Sequence, residues 1–309
     1  MTLLYYDPLF LEHDTGEHPE RAERLRQVMR QLDRTGLRTR CVQPQWPSIS
    51  RDALLRVHEA HYLDALRQAA DDGGGRIEED TVLSARSFDA ARRASGAVCN
   101  AVARVISGED ANAFCAVRPP GHHALADGSM GFCLLNHIAV AAASAVEDHR
   151  LNRVLIVDWD VHHGNGAQDF CWNDPQIGYL SIHRWPFYPG TGRASETGGA
   201  VAQGGICNLP TEYGTPRRVA LDRFRSTLEE FARRIRPELV LISAGFDAHA
   251  LDPIGSLDWE IEDFVELTQM VRAVADEYAG GRIVSMLEGG YNPGVLAGCV
   301  AAHLEALLE

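Results

Sequence analysis

The chain contains no lysine: its 29 basic residues are all arginine, against 43 acidic ones, for a formal net charge of −14 over 309 residues. An arginine-only basic set fits a GC-rich coding sequence, since arginine codons are GC-rich and lysine codons are not. The acidic balance argues against nucleic acid or anionic membrane as the main partner and is compatible with cationic ones. No apolar run approaches the ~18 residues of a membrane span. The N-terminus, MTLLYYDPLFLEHD, has no basic stretch followed by an apolar one, so it does not read as a signal peptide. The seven cysteines are odd in number and widely spaced, with no CxxC pair. This excludes a disulfide framework and a cysteine zinc site, and fits reduced thiols in a cytoplasmic protein. Repeats, low-complexity stretches and clear linkers are also missing. The expectation is therefore one domain over residues 1–309, with the oligomeric state left open.

What is present is an alternation of short apolar runs with longer helical patterns. The strand candidates are Ala113–Val117, Val154–Val157, Tyr179–Ile182, Leu239–Ile242 and Ile283–Leu287. Runs apolar on both faces suit a parallel sheet covered by helices on both sides. Helical patterns cover Pro19–Leu32, Arg51–Ala69, Phe88–Ile106, Ile138–Glu147, Arg217–Ile235, Ile261–Tyr278 and Gly294–Leu308. The reading is an α/β fold with right-handed crossovers. Asp71–Gly75 reads as a glycine-rich turn. Arg184–Leu209 reads as one long loop, and its aromatic start (Trp185, Phe187, Tyr188) points to function.

The residues after each apolar run carry the chemistry. RPPGHHA follows the first, DWDVHHGNG the second, HRWPFYPGTG the third, AGFDAH the fourth and EGGYN the fifth. Ligand sites of open parallel sheets lie at the carboxyl edge of the strands, where all five segments would meet. In an extended chain alternate residues share a face, so Asp158, Asp160 and His162 project together while Trp159 and Val161 pack away. Two carboxylates and an imidazole on one face call for a cation, and Asp247 can add a third ligand. Such an oxygen and nitrogen set suits Zn²⁺ or Fe²⁺ with one position left open. A buried Asp160–His162 ion pair without metal is the alternative. In RPPGHHA the prolines end the strand, Gly121 permits a turn, and His122 and His123 are delivered to the same edge. His58-Glu59-Ala60-His61 is not HExxH, since its histidines are three apart, and reads as surface or packing.

RPPGHHA, GFC at 131–133, DWDVHHGNG, PGTG, SAGFDAH with DPIG, and EGGY resemble, in order, the motifs of the histone deacetylase superfamily. That superfamily also holds acetylpolyamine amidohydrolases and acetoin-utilisation proteins. YDP…LEHDTGEHPERAERL resembles its class II branch. The resemblance covers nearly the whole chain. It implies a three-layer arginase/deacetylase α/β fold, with long loops at the strand ends and one catalytic metal, usually Zn²⁺, hydrolysing N-acyl amides.

Carried over residue by residue, the resemblance makes Asp160, His162 and Asp247 the metal ligands. His122 pairs with Asp158, whose charge favours the imidazolium, and His123 pairs with the neutral Asn165. His123 is thus expected to be the general base and then the acid, with His122 as electrostatic helper. Tyr291 is expected to donate its hydroxyl to the developing oxyanion; one weakly active branch of the family has histidine there. Phe132 and Tyr188 match the channel walls, with Phe187 the alternative to Tyr188. Gly131 offers a backbone carbonyl, and Asp80 matches a rim position. A structural K⁺ is implied near Asp158 and Ser181. Ala167 and Cys171 depart from the class II pattern of threonine and phenylalanine, which bears on a second monovalent-cation site.

The expected substrate is an acyl-lysine side chain of a protein or peptide, with an acylated polyamine as the alternative. Polyamine-specific relatives carry a glutamate where this chain has Ile254, which shifts the expectation toward lysine. Remoter alternatives are a ureohydrolase, for which the second aspartate cluster is missing, and a non-catalytic binder of acylated amines. With no lysine of its own, the chain carries no side-chain acyl-lysine, so its substrate is another molecule.

Overall fold

The computed structural model describes residues 1–309. Nine strands run in chain order as β1 Thr2–Tyr5, β2 Gly74–Arg76, β3 Val82–Ser84, β4 Asn112–Cys115, β5 Val154–Asp158, β6 Ile177–Arg184, β7 Ile206–Thr211, β8 Leu239–Ala244 and β9 Ile283–Leu287. The helices are α1 Ala22–Arg34, α2 Arg51–Leu54, α3 Ala60–Asp71, α4 Ser87–Ser107, α5 His137–Glu147, α6 Asn165–Cys171, α7 Arg217–Ile235, α8 Ile261–Tyr278 and α9 Pro293–Leu308. Seven strands form one sheet in the order β1-β4-β9-β8-β5-β6-β7, every neighbouring pair parallel. β2 and β3 form a separate antiparallel ribbon.

The interior strands are apolar on both faces because both faces are covered. β5, β8 and β9 are buried along their whole length. Helices α4 and α5 pack on each other and on the sheet, while α7, α8 and α9 form a contiguous row against it and α1 packs on α9. α1 shows how each helix is placed: Leu25, Val28, Met29 and Leu32 recur at helical spacing and are the apolar residues it buries. A second, smaller apolar cluster, including Leu54, Leu63, Leu66, Phe88, Leu134 and Leu135, lies outside the main core and joins α3 and α4 to the loop past residue 130. No helix is long and apolar enough to cross a membrane.

Four expectations need correction. The stretch Arg184–Leu209 is not loop throughout, since β7 takes up its end. β7 contains Pro210 and is tolerated because it is an edge strand paired only with β6, so the missing N–H interrupts no second ladder. β1 was not expected; its short run pairs with β4 at the other edge. The Asp71–Gly75 turn leads directly into a strand, because Gly74 pairs with Ser84. The helix expected over Arg51–Ala69 is broken between Leu54 and Ala60. The break lets His58 turn inward, its Nδ1 2.9 Å from the Leu125 carbonyl and its Nε2 accepting from the Asn136 N–H at 2.9 Å. His61 remains exposed, so the two histidines of HEAH do not converge.

Candidate active site

Because the sheet is parallel, the five expected segments emerge at one edge. β4 is followed by the histidine loop and β5 by Asp158–Asn165. The Phe187–Tyr188 segment follows β6, Asp247 lies after β8, and Glu288–Tyr291 after β9. β5 ends at Asp158, yet the alternation continues past it. Trp159 and Val161 are fully buried in the core, while Asp158, Asp160 and His162 turn to the site.

His162 Nδ1 stands 3.0 Å from Asp160 Oδ1 and 3.1 Å from Asp247 Oδ2. One donor atom from each of the three residues lies within 4.8 Å of the other two. The outward oxygens are fixed by main-chain donors. Gly289 N–H donates to Asp160 Oδ2 at 2.8 Å, and Val161 N–H to Asp247 Oδ1 at 2.9 Å. A side chain at 289 would meet Asp247 Oδ2 at 2.2 Å and Asp160 Oδ2 at 2.6 Å, so glycine is required there. All three residues are buried, two of them acidic. Burial, with Asp160 beside it, pushes the Asp247 carboxyl up to about 7. Burial works against a charged His162, but both carboxylates outweigh it and raise the imidazole to about 9. Two acids and one imidazole leave a negative excess that a divalent cation relieves, and the donor set fits Zn²⁺ or Fe²⁺.

The histidine pair sits beside this cluster, its ring centroids 4.0 Å apart. His122 Nδ1 is 3.0 Å from Asp158 Oδ2, and Asp158 also accepts from the Tyr179 hydroxyl and the Asp160 N–H. Burial disfavours the imidazolium of His122, but Asp158, Asp160 and Glu288 outweigh it and raise its pKa to about 10. His123 Nδ1 is 2.7 Å from Asn165 Oδ1. Burial, then the neighbouring His122 and His162, hold His123 well below its ordinary value. Since Asn165 Oδ1 only accepts, Nδ1 of His123 carries the proton and Nε2 keeps a lone pair. The two imidazoles are thus shifted in opposite directions: the nearby carboxylates raise His122, while burial and the neighbouring imidazoles lower His123.

A cavity of about 290 Å³ opens over this cluster, lined by His123, His162 and Tyr291 at its base and by Phe132, Phe187, Tyr188, Gly131, Asp80 and Ile254 around them. Both candidates for the wall opposite Phe132 take part. Phe187 stacks on His162 at 5.2 Å and 18°, whereas Tyr188 presents its edge to His123 at 5.4 Å. Phe132 has φ 69°, a left-handed backbone, and its N–H donates to Thr81 Oγ1 at 3.1 Å. A side chain on Gly131 would strike the His123 ring at 2.4 Å. The Tyr291 ring meets the edge of Phe132 at 5.6 Å and is backed by the Arg24 guanidinium at 5.0 Å. Asp252 joins two walls, accepting from Tyr291 N–H at 2.6 Å and from Ile254 N–H at 2.9 Å.

Ser181 lies opposite Asp158 across β5 and β6, but its hydroxyl pairs with His183 Nδ1 at 2.8 Å. His163, the second histidine of DVHHGNG, turns from the cluster to Thr191 Oγ1 and Gln168 Oε1. Sequence reasoning missed the buried group behind the site. Glu20 binds Arg118 and Arg24, and Arg24 donates to the carbonyls of Glu288 and Gly290, both at 2.6 Å. Charged residues in HPERAER, at an expected helix start, were the only signal for it.

Residues 18–307 match the family described as histone deacetylase domain. The histone deacetylase-like amidohydrolase of Pseudomonas aeruginosa is 34% identical, over 99% of this chain and 86% of that protein. A probable deacetylase of Archaeoglobus fulgidus is 34% identical over 100% of this chain and 89% of its own. Among solved structures, the HDA15 HD domain superposes with a TM-score of 0.93 at 35% identity, covering 99% of this chain and 90% of that one. With its parallel sheet and the motif order along its strand ends, the chain belongs to the histone deacetylase family, a family of amide-hydrolysing deacetylases.

Proposed function

We propose that the chain hydrolyses N-acyl amides of lysine side chains in proteins or peptides, with one divalent ion, Zn²⁺ or alternatively Fe²⁺, held by Asp160, His162 and Asp247. The observation that carries this reading is a pair of adjacent imidazoles, one on the Asp158 carboxylate and the other on the Asn165 amide, beside a cluster of three residues able to hold an ion. When bound, the ion supplies Lewis acidity toward the acyl carbonyl and toward water. His123, held by Asn165, takes the proton of the attacking water on Nε2 and returns it to the departing amine. His122, kept charged by Asp158, favours negative charge building next to it. Tyr291 donates its hydroxyl to the oxyanion; burial, then Asp247 and Asp160, hold its pKa well above the ordinary value, so it stays a donor. Phe132, Phe187 and Tyr188 line a largely apolar cavity suited to an alkyl chain, and Asp80, in the same lining, is assigned to the substrate's polar part. A structural K⁺ beside Asp158 and Ser181 would rest mainly on main-chain carbonyls.

Ile254 lines the cavity where an acidic side chain would grip a distal ammonium, which supports lysine over polyamine. The test is a panel on the zinc-loaded protein, crossing acyl length with carrier: acyl-lysine peptide, acylputrescine and acylspermidine. The expected result is the higher kcat/KM on the peptide. A tenfold preference for the polyamine would reverse the assignment, and bound metal without hydrolysis of any member would leave a binding protein.

A further inference from the structure

The histidine pair is carried by a segment with few main-chain anchors of its own. β4 ends at Cys115, and residues 119 and 120 are prolines without N–H groups. The first main-chain donors beyond them are Gly121 and His122, and both turn to one side chain. Glu288 Oε2 accepts from Gly121 N–H at 2.7 Å and from His122 N–H at 3.3 Å. Its Oε1 accepts from the Ser243 hydroxyl at 3.2 Å. Ser243 lies on β8 in register with Asp158, so the same carboxyl ties the histidine loop to the strand beside His122's partner. The carboxyl is fully buried, where an acidic group without partners would be costly. Its own main chain is held at both ends, N–H to the Ala244 carbonyl at 3.0 Å and carbonyl to Arg24 at 2.6 Å. β4 and β9 pair as far as Cys115 and Met286, and Glu288 follows directly on β9.

We propose that Glu288 is the positioning residue for His122 and His123, a hydrogen-bond acceptor that continues the β4–β9 connection past the prolines and so sets where both imidazoles sit. The proposal rests on reading those histidines as the proton-handling groups. Asp158 and Asp160 supply more of the charge that favours the His122 imidazolium than Glu288 does, so the role assigned to Glu288 is reach, and two substitutions separate reach from charge. Glu288→Gln keeps the length, offering an amide oxygen to the two N–H groups and an amide N–H to the Ser243 oxygen. Glu288→Asp keeps the charge but is one methylene shorter.

The experiment measures kcat and KM of both variants on an acyl-lysine peptide, together with amide hydrogen exchange over residues 118–124 without substrate. Glu288→Gln is expected to retain kcat within about fivefold and to keep slow exchange. Glu288→Asp is expected to lose about 10²-fold in kcat with KM within about threefold, the scale of a misplaced catalytic group, and to exchange about tenfold faster. An active aspartate variant beside an inactive glutamine one would overturn the proposal in favour of charge. Two equally affected variants, or unchanged exchange in the aspartate variant, would overturn it outright. Exchange needs no turnover, so it tests the clamp even if the wild type fails to hydrolyse acyl-lysine; active wild type with unaltered exchange sinks the clamp alone.

Discussion

Tyr291→Phe is the substitution whose effect is best bounded by the structure. It removes one oxygen and leaves the ring, which is held independently. Phe132 meets its edge, Arg24 backs it, and the residue's N–H is tied to Asp252. Burial and nearby charges set the state of the hydroxyl, with no hydrogen bond inside the chain among the causes. No folding interaction is therefore lost, and the melting temperature should stay within about 2 °C of wild type. The whole effect then falls on the reaction. A single donor to a developing oxyanion contributes about 2.7–4 kcal/mol, so kcat should fall by roughly 10²–10³-fold. KM should move by less than about threefold, since the donor acts on charge that appears only at the transition state. Steady-state kinetics on an acetyl-lysine peptide, with melting curves on the same preparations, provide the measurement. A folded Tyr291→Phe protein within fivefold of wild-type kcat would refute the oxyanion role.

Two further outcomes are expected. His123→Ala should lose on the order of 10²–10⁴ in kcat, while His122→Ala keeps measurable turnover; the opposite ordering in single-turnover rates would exchange their roles. Glu20→Gln leaves Arg24 and Arg118 buried without their charged partner and should cost about 3–5 kcal/mol in denaturant unfolding. Burial alone would raise the Glu20 carboxyl, but Arg118 and His13 outweigh it and hold it well below the ordinary range. A depressed native pKa means that this stabilisation is complete above about pH 5. It erodes as the pH falls toward the native value, so wild type and variant should converge in acid. A gap that widens in acid would contradict the assignment.

The parts of the site visible in sequence depend on short-range geometry. Asp158, Asp160 and His162 were readable because side chains alternate along extended backbone, and the alternation outlasts β5 itself. The convergence of Asp247 and Tyr291 followed from one rule, that parallel strands release their chains at a common edge. What stayed hidden depends on reach across the fold. Nothing near Glu288 in the chain says that its carboxyl meets N–H groups at 121 and 122. Periodicity carries an apparent helix through residues 55–59, because the cause of its break, the bonds of His58 to residues 125 and 136, lies far along the chain. A strand through Pro210 is tolerated only at a sheet edge, and the sheet order that puts β7 there is a property of the whole fold. Choosing between Phe187 and Tyr188 needed ring orientations, and both proved to face the cavity.

The strand order also governs when the site can exist during synthesis. β4 lies between β1 and β9, and Asn112 faces Ile283, about 170 residues downstream. A growing chain that has made both histidines thus has β1 but neither β9, the second strand beside β4, nor the loop bearing Tyr291. Asp160 and His162 likewise wait for Asp247. Long-range parallel pairing is intrinsically slow to form, and the emerging chain holds a half-built cluster of acids and imidazoles until β8 and β9 arrive. The cluster of Asp160, His162 and Asp247 is therefore assembled late, almost together with the finished sheet.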